Sequence, residues 1–344
     1  MPKSVNNIFR SKIKFRKMYE AYVRAAKNKH STKEVIIFDM DLASNLISIL
    51  KDIYYGRYRL GKYRSFIVYI PKIREVKALP FRDRVMHQWY VEEFIKPVFL
   101  PKFIKDTYAC LKDRGSHKAV FSLQRYMRLF YKINPNYYIL KCDISKFFYT
   151  IDKVVLLKII SRHIKDKEFL SFTRMLLYDN NPSSTGIPIG NYTSQFFANI
   201  YLNELDHYVK EKLRVKYYIR YMDDFILLLD TKQDAIEVKN KIEVFLKDRL
   251  HLTFNQKTNY FKNKQGVSFC GYRIFRNKIF LRSSNKKRIY KTIKEWKREY
   301  LKGTLDCKKT CRTLNSWKGY AGHARCKNLM TSIYQKCEWI YDKI

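Results

Sequence analysis

A chain of 344 residues, 46% of them hydrophobic, is long enough to bury a core and too apolar for extensive disorder. Seventy Lys and Arg against 31 Asp and Glu leave a formal charge of +39, which makes a polyanion the expected partner. No apolar run approaches the ~18–20 residues that span a bilayer, and no signal-peptide pattern opens the chain, so nucleic acid is favoured over membrane.

Residues 1–30 carry basic side chains from Lys3 to Lys29 against a single acid, Glu20. Ile8, Ile13, Phe15, Tyr19 and Tyr22 are spaced for short helices, giving a basic arm that is either solvated or grips phosphates. Phe66, Val68 and Ile70 alternate with Ile67 and Tyr69 as in a strand, which Pro71 stops. Helices are predicted over 82–100 and 117–131, then an apolar strand from Tyr137 to Cys142 that gives out at Asp143, and a helix over 152–163. Gly186 to Gly190 reads as a loop, followed by a helix from Thr193 to Leu213 on the phase Phe197, Ile200, Tyr201, Leu205, Tyr208. Val215–Asp230 reads as strand, tight turn at Met222-Asp223-Asp224, strand. Thr231 with Asp234 resembles a capping box opening a helix to Leu250 that buries Ala235, Val238, Ile242 and Phe245. A second hairpin is expected from Val267 to Leu281, turning at Arg276-Asn277, and everything from Asn285 on reads as basic helix.

The informative feature is where the acids fall. An apolar strand does not readily carry Asp, since a buried carboxylate costs several kcal/mol unless paired or metal-bound. Asp143 ends one such strand, and Asp223-Asp224 tip a hairpin. Side by side in one sheet, these carboxylates would converge and call for a hard divalent cation, and oxygen-only ligands suit Mg²⁺. An Asp pair in a turn is by itself ordinary turn chemistry. Seven scattered Cys, an odd set, read as reduced thiols of a cytoplasm-like compartment. Cys307, Cys311, His323 and Cys326 could offer zinc ligands, but the first pair lacks the tight spacing of a zinc knuckle, and free thiols on one helical face are the preferred reading.

Tyr218-Ile219-Arg220-Tyr221-Met222-Asp223-Asp224-Phe225 resembles the metal-binding hairpin of reverse transcriptases, and Asp143-Ile144-Ser145-Lys146-Phe147-Phe148 is similar to that family's first catalytic motif. The resemblance covers roughly residues 60–330, with its blocks in the family's order. It implies catalytic and metal-binding roles for Asp143, Asp223 and Asp224, with the Ile144 backbone as a further ligand. Two Mg²⁺ ions, replaceable by Mn²⁺, would serve an in-line phosphoryl transfer. Phe148 takes the place of the aromatic that blocks a ribonucleotide's 2′-hydroxyl, while Phe147 reads as core.

Tyr69-Ile70-Pro71-Lys72-Ile73-Arg74 resembles the strand whose Lys and Arg hold the triphosphate, roles that fall to Lys72 and Arg74 unless they are a solvated basic pair. Phe81-Arg82-Asp83-Arg84-Val85, Tyr108-Ala109-Cys110 and Arg114 to Ala119 resemble the fingers and template blocks. Lys257 resembles a Lys that protonates departing pyrophosphate, or is a plain surface Lys. Cys270, Gly271 and Tyr272 resemble the primer grip, where Gly271 would allow close backbone approach to the primer end.

Pro188-Ile189-Gly190-Asn191-Tyr192-Thr193-Ser194-Gln195 stands where most of the family has Gln-Gly on the loop under the nascent base pair, and Ile189 replaces that Gln. This pattern, with Gly190 and Gln195 as nucleotide-binding neighbours, is similar to reverse transcriptases of diversity-generating retroelements, relatives of the group II intron and retron enzymes. Leu314 to Ala324 resembles the same group's thumb.

The implied fold is an α+β right-hand polymerase: a basic extension and fingers over 1–136, a palm with an antiparallel sheet over 137–284, and a helical basic thumb over 285–344. The chain after the primer grip suits a thumb, with no room for an RNase H or endonuclease domain. Expected partners are an RNA template, a DNA or RNA primer, deoxynucleotides and a small basic accessory protein, in the cytoplasm and off the membrane. The rival readings are a phage-defence, retron or CRISPR-associated reverse transcriptase, and a non-catalytic RNA-binding protein on a polymerase fold. Genomic neighbourhood separates the first from the main reading, and a template–primer assay the second.

Overall fold

The computed structural model describes residues 4–69 and 73–341, so Lys72 and its neighbours Ile70 and Pro71 lie outside the described residues. In chain order the elements begin with α1 (Phe15–Ala26), α2 (Lys33–Asp39) and α3 (Leu42–Tyr54), the strands β1 (Arg64–Val68) and β2 (Arg74–Ala78), and α4 (Phe81–Tyr90). A π-helical turn (Val91–Ile95) leads into α5 (Lys96–Phe99), so the helix expected over 82–100 is continuous but irregular. Then come α6 (Ser116–Ile133), β3 (Tyr138–Asp143), α7 (Phe147–Thr150), α8 (Lys153–Ser161), α9 (Lys167–Tyr178) and α10 (Tyr192–His207). The hairpin strands β4 (Tyr218–Tyr221) and β5 (Asp224–Leu229) precede α11 (Lys232–Leu250) and β6 (Asn259–Lys262). The chain ends in β7 (Val267–Phe269), β8 (Tyr272–Ile274), β9 (Ile279–Leu281), α12 (Ser283–Leu301), α13 (Cys307–Ala321) and α14 (Lys327–Tyr341).

These elements form two units that interleave along the chain. The first comprises Met1–Cys110, Asp143–Arg214 and Lys239–Lys257, and the second Leu111–Cys142, Val215–Val238 and Thr258–Ile344. In the first unit the basic arm is a packed element. Met18, Ala21, Tyr22 and Ala25 recur at helical spacing on α1 and are buried, leaving the Lys and Arg outside. Asp166 caps α9 by accepting from the Phe169 N–H at 3.1 Å, and its other oxygen accepts from the Phe9 N–H at 2.9 Å. Phe9 thereby joins an aromatic core in which Tyr90 stacks on Phe169 at 5.4 Å and Trp89 meets Phe94 edge-on at 5.0 Å.

The second unit holds a four-stranded sheet in the order β4-β5-β3-β6, in which β4 pairs antiparallel with β5 and β3 with β6. The predicted capping box is present: the Thr231 hydroxyl accepts from the Asp234 N–H at 3.0 Å, and Asp234 accepts from the Thr231 N–H at 3.0 Å. Along α11, Ala235 and Ile242 are buried, whereas Val238 and Phe245 are half-buried. The hairpin expected over 267–281 is instead a three-stranded meander, β7-β8-β9. Cys270 and Gly271 adopt φ of 46° and 87°, a two-residue turn that closes β7 on β8 before the expected turn is reached. In the helical C-terminal part, Ile289, Ile293, Trp296, Leu314, Ile333 and Cys337 form one apolar cluster with Cys311 packed against it. The Cys326 thiol donates to the Ala321 carbonyl at 2.9 Å, so three of these thiols have packing or hydrogen-bonding roles.

Candidate active site

The hairpin is built from the inside out. Tyr218, Ile219 and Arg220 of β4 and Phe225 to Leu228 of β5 are buried. Tyr221 pairs with Asp224, leaving Met222 and Asp223 as a two-residue loop. Met222 takes φ of 58°, a left-handed conformation that costs a non-glycine residue about 1–3 kcal/mol and is held only where the surroundings insist. Part of that insistence comes from Arg220, fully buried, whose Nη1–H donates to the Met222 carbonyl at 3.1 Å. The strain falls on the residue that orients the Asp pair. Both Asp223 and Asp224 are half-buried, as is Asp143.

Asp143 is the last residue of β3, and β3 is the hydrogen-bonded neighbour of β5, whose first residue is Asp224. Just beyond it, Ile144 bridges Phe254. The hydrogen bonds of that bridge run on either side, from the Asn255 N–H to the Asp143 carbonyl at 2.8 Å and from the Ser145 N–H to the Thr253 carbonyl at 2.9 Å. Ile144 itself is not tied up by them. Lys257 lies three residues past Phe254, with an exposed side chain.

One residue of this neighbourhood escaped the sequence reading. Lys141, on the same face of β3 as Asp143, places its Nζ 3.3 Å from the Asp224 carboxylate and donates to the Ser268 carbonyl of β7 at 2.6 Å. An ammonium thus links the hairpin carboxylate to the strand that leads into Cys270-Gly271. The only signal for it was a Lys inside an otherwise apolar strand, two residues before the Asp. Burial, then the Asp224 charge, pushes the Cys270 thiol well up, with Lys141 opposing, so it stays protonated at neutral pH. A Cβ on Gly271 would come within 2.1 Å of the Tyr320 hydroxyl of α13, so any side chain at this turn would collide with that helix. Asn285 donates to the Gly271 carbonyl at 3.0 Å and the Tyr272 hydroxyl to the Tyr320 carbonyl at 2.7 Å, fixing the turn against the helices.

The remaining candidates gather around the loop at 186–190, within the first unit. The Lys77 N–H of β2 donates to the Ile189 carbonyl at 2.9 Å, and the Ile187 N–H to the Phe148 carbonyl at 2.8 Å. The loop therefore stitches the β1-β2 hairpin to α7, bringing Ile189, Gly190 and Phe148 together. Phe148 is half-buried, whereas Phe147 is 2% exposed and belongs to the core. Ile189 and Gln195 are half-buried and Arg74 is exposed on β2. The loop's approach is held by Lys153, a fully buried amine that donates to the Asn181 and Ser183 carbonyls at 2.6 and 2.7 Å and sits 4.7 Å over the Tyr178 ring. Burial lowers that amine to about 8.

Carboxylate and carbonyl oxygens, the donor types of Asp143, Asp223, Asp224 and the Ile144 backbone, are the chemistry that suits a hard ion such as magnesium. Among the described residues no three His, Cys, Asp or Glu side chains form a ready cage.

A carboxylate-tipped hairpin beside a carboxylate-ended strand, on an α+β framework, defines the class: the right-hand polymerase fold. The family model for reverse transcriptases (RNA-dependent DNA polymerases) matches residues 70–274, more than half of the chain, and the chain belongs to that family. The group II intron-encoded protein LtrA of Lactococcus lactis subsp. cremoris is 23% identical over 337 residues, covering 74% of this chain and 54% of the relative. Protein YkfC of Escherichia coli K12 is 23% identical over 255 residues, covering 61% and 66%. A COX1/OXI3 intron 2 protein of Saccharomyces cerevisiae is 27% identical over 218 residues, covering 45% of this chain and 25% of the relative. The chain thus spans from 25% to 66% of the length of these relatives. Among solved structures, apo telomerase from Candida tropicalis is similar, with a TM-score of 0.49 at 11% identity over 86% of this chain and 64% of that one.

Proposed function

We propose that this chain is an RNA-directed DNA polymerase, extending a DNA or RNA primer with deoxynucleotides on an RNA template. The observation that carries the reading is the strained Met222-Asp223 turn, which presents an Asp pair on the strand next to the one that ends in Asp143. Asp143, Asp223 and Asp224, with the Ile144 carbonyl, would hold two Mg²⁺ or Mn²⁺ ions. Such ions supply charge stabilisation and an activated hydroxyl for phosphoryl transfer. The protein's own side chains do the placing. Phe148 closes the space at the sugar's 2′ position, Arg74 and Lys72 meet the triphosphate, and Ile189, Gly190 and Gln195 lie under the incoming base pair. The Cys270-Gly271-Tyr272 turn seats the primer end, and Lys257 is placed to give a proton to pyrophosphate. Fingers, palm and thumb follow the divisions at residues 136 and 284, and a small basic accessory protein completes the assembly.

Asp223→Asn or Asp143→Asn should reduce deoxynucleotide incorporation on a defined template–primer by a thousandfold or more, while RNA affinity changes little. The first rests on the carboxylates and the second on basic surface. Substantial divalent-dependent synthesis by either variant would sink the assignment.

Within the family we infer error-prone synthesis of the diversity-generating type, from Ile189 in the place of an amide. A Gln there would hold the substrate by a hydrogen bond worth about 0.5–1.5 kcal/mol, enough to change discrimination roughly two- to tenfold. Ile189→Gln should therefore lower misincorporation opposite template adenines by that factor, read by sequencing cDNA made from one adenine-rich template. Equal error rates would leave the polymerase reading standing and return the phage-defence, retron and CRISPR-associated alternatives to equal footing.

A further inference from the structure

A groove on the first unit shares no residue with those assigned above to metal, nucleotide or primer. Its walls come from the end of α3 and the loop after it, from the segment ahead of α1, and from α9, enclosing about 950 Å³. Two features set it apart from an ordinary surface hollow.

The first is its aromatic lip. Tyr54 and Tyr55 are 50% and 63% exposed, and their rings meet edge to face at 5.2 Å. Arginines lie over these rings: Arg10 is 4.9 Å from the Tyr54 centroid and Arg57 4.9 Å from that of Tyr55. On α9, Arg174 lies 5.7 Å from the Tyr178 ring. The second feature is the charge balance. Both acids in the lining are engaged, Glu168 by the Arg10 guanidinium at 2.6–2.8 Å and Asp179 by the Leu60 N–H at 2.6 Å. The exposed Arg59 and Arg174 then set the sign of the groove.

Flat exposed rings interleaved with arginine ask for a ligand that is flat and anionic along its length. An apolar peptide would leave the arginines unmatched, and an acidic one would leave the rings bare. A duplex hides its bases in the stack, whereas a single strand offers bases and phosphates together. We propose that this groove holds a single-stranded stretch of RNA outside the polymerising centre. The inference rests on the reading above that the chain works on RNA.

The test measures binding of a short fluorescent oligouridine to the full chain by anisotropy. Alongside it, extension of a pre-annealed minimal template–primer and the melting temperature are recorded. Tyr54→Ala with Tyr55→Ala should weaken oligouridine binding by about tenfold or more, the scale of one lost base–ring stack. Tyr55→Trp should restore binding when set in the Tyr54→Ala background. Extension of the minimal duplex and the melting temperature should stay at wild-type values, since both rings are surface groups. Arg174→Ala should also weaken binding and lower its salt dependence. Crosslinks from 4-thiouridine should map to the peptides carrying Tyr54 and Tyr178. Unchanged affinity in the variants, with primer extension intact, overturns the groove and leaves the polymerase reading untouched. Equally effective competition by duplex RNA or by an acidic peptide overturns the single-strand assignment. A wild-type chain that neither binds oligouridine nor extends a primer overturns both readings.

Discussion

His87 shows how a single side chain can set a pH limit on this molecule. It lies on α4, fully enclosed, with Nδ1 3.1 Å from the Thr193 hydroxyl of α10. Among the described residues its Nε2 has no hydrogen-bond partner. Burial lowers its pKa from 6.5 to about 3, so the fold holds it neutral. The unfolded chain protonates it near 6.5, so its stability is fully present above that pH and is lost as pH falls from 6.5 towards 3. At pH ~5.5 the loss is about 1.4 kcal/mol from this residue alone. His117 acts in the same direction, lowered by burial and by the charge of His323. Urea unfolding at pH ~8 and ~5.5 should therefore show a drop that His87→Gln, which cannot titrate, reduces by about 1.4 kcal/mol. The same drop in the variant would place the acid sensitivity elsewhere. Lys141, Lys153 and Arg220 share a logic with His87: each is a charged or titratable group wholly or partly buried in the fold, and the two lysines and the arginine hold backbone or carboxylate oxygens in place.

At the scale of elements, the loop at 186–190 is the joint that ties β2 to α7, and the nucleotide side of the proposed site depends on it. Gly190 has φ of 121°, and a Cβ there would lie 2.8 Å from the Lys77 carbonyl and 2.9 Å from Val76 Cγ1. Gly190→Ala meets strain and backbone contact at once and should cost about 1–3 kcal/mol of stability. Because β2 must shift to make room, it should also raise the deoxynucleotide KM several-fold, whereas Gly56→Ala, a positive-φ glycine with open space around it, should affect stability alone. Steady-state extension with both variants checks this, and equal KM values would detach the loop from nucleotide binding. Much of this level was readable in the sequence: the hairpin of β4 and β5, the capping box of α11 and the strand ending at Asp143 follow from local pattern. The helices α2, α3 and α9 were not read out. In α2, Val35 and Phe38 are buried, but Ile36 and Ile37, and Met40 just past its end, are exposed, which erases the period. In α9 the signal was present, since Asp166 caps a run that buries Phe169, Phe172 and Leu177. The three-stranded meander was misread because its first turn needs Cys270 in a left-handed conformation, which residue preference does not announce. Lys141 and Lys153 could not be placed either, since their partners lie 127 and 28–30 residues away in the chain.

Over the whole molecule, charge outweighs any one contact. A formal charge of +39 far exceeds what the fold's own ion pairs need, and many of those pairs are exposed, such as Arg16 with Glu20 and Lys291 with Glu295. Exposed pairs contribute little to stability, about 0–1 kcal/mol each. The surplus is therefore available to a polyanion, and its effect is measurable without knowing the polyanion's sequence. Each phosphate neutralised releases condensed counterions, so affinity falls as a power of salt concentration with an exponent near 0.7 per phosphate on a single strand. Contact with about six phosphates, a modest demand on so basic a surface, gives a loss of roughly 300-fold between about 50 and about 200 mM salt. Changing the RNA sequence at fixed salt should move the affinity far less, because backbone contacts carry no base information. Titrations of two unrelated unstructured RNAs across that salt range decide it. Parallel steep slopes are expected; a flat dependence would mean that the basic surface is not what holds nucleic acid, and that the surplus charge serves something other than the polymerase's own template.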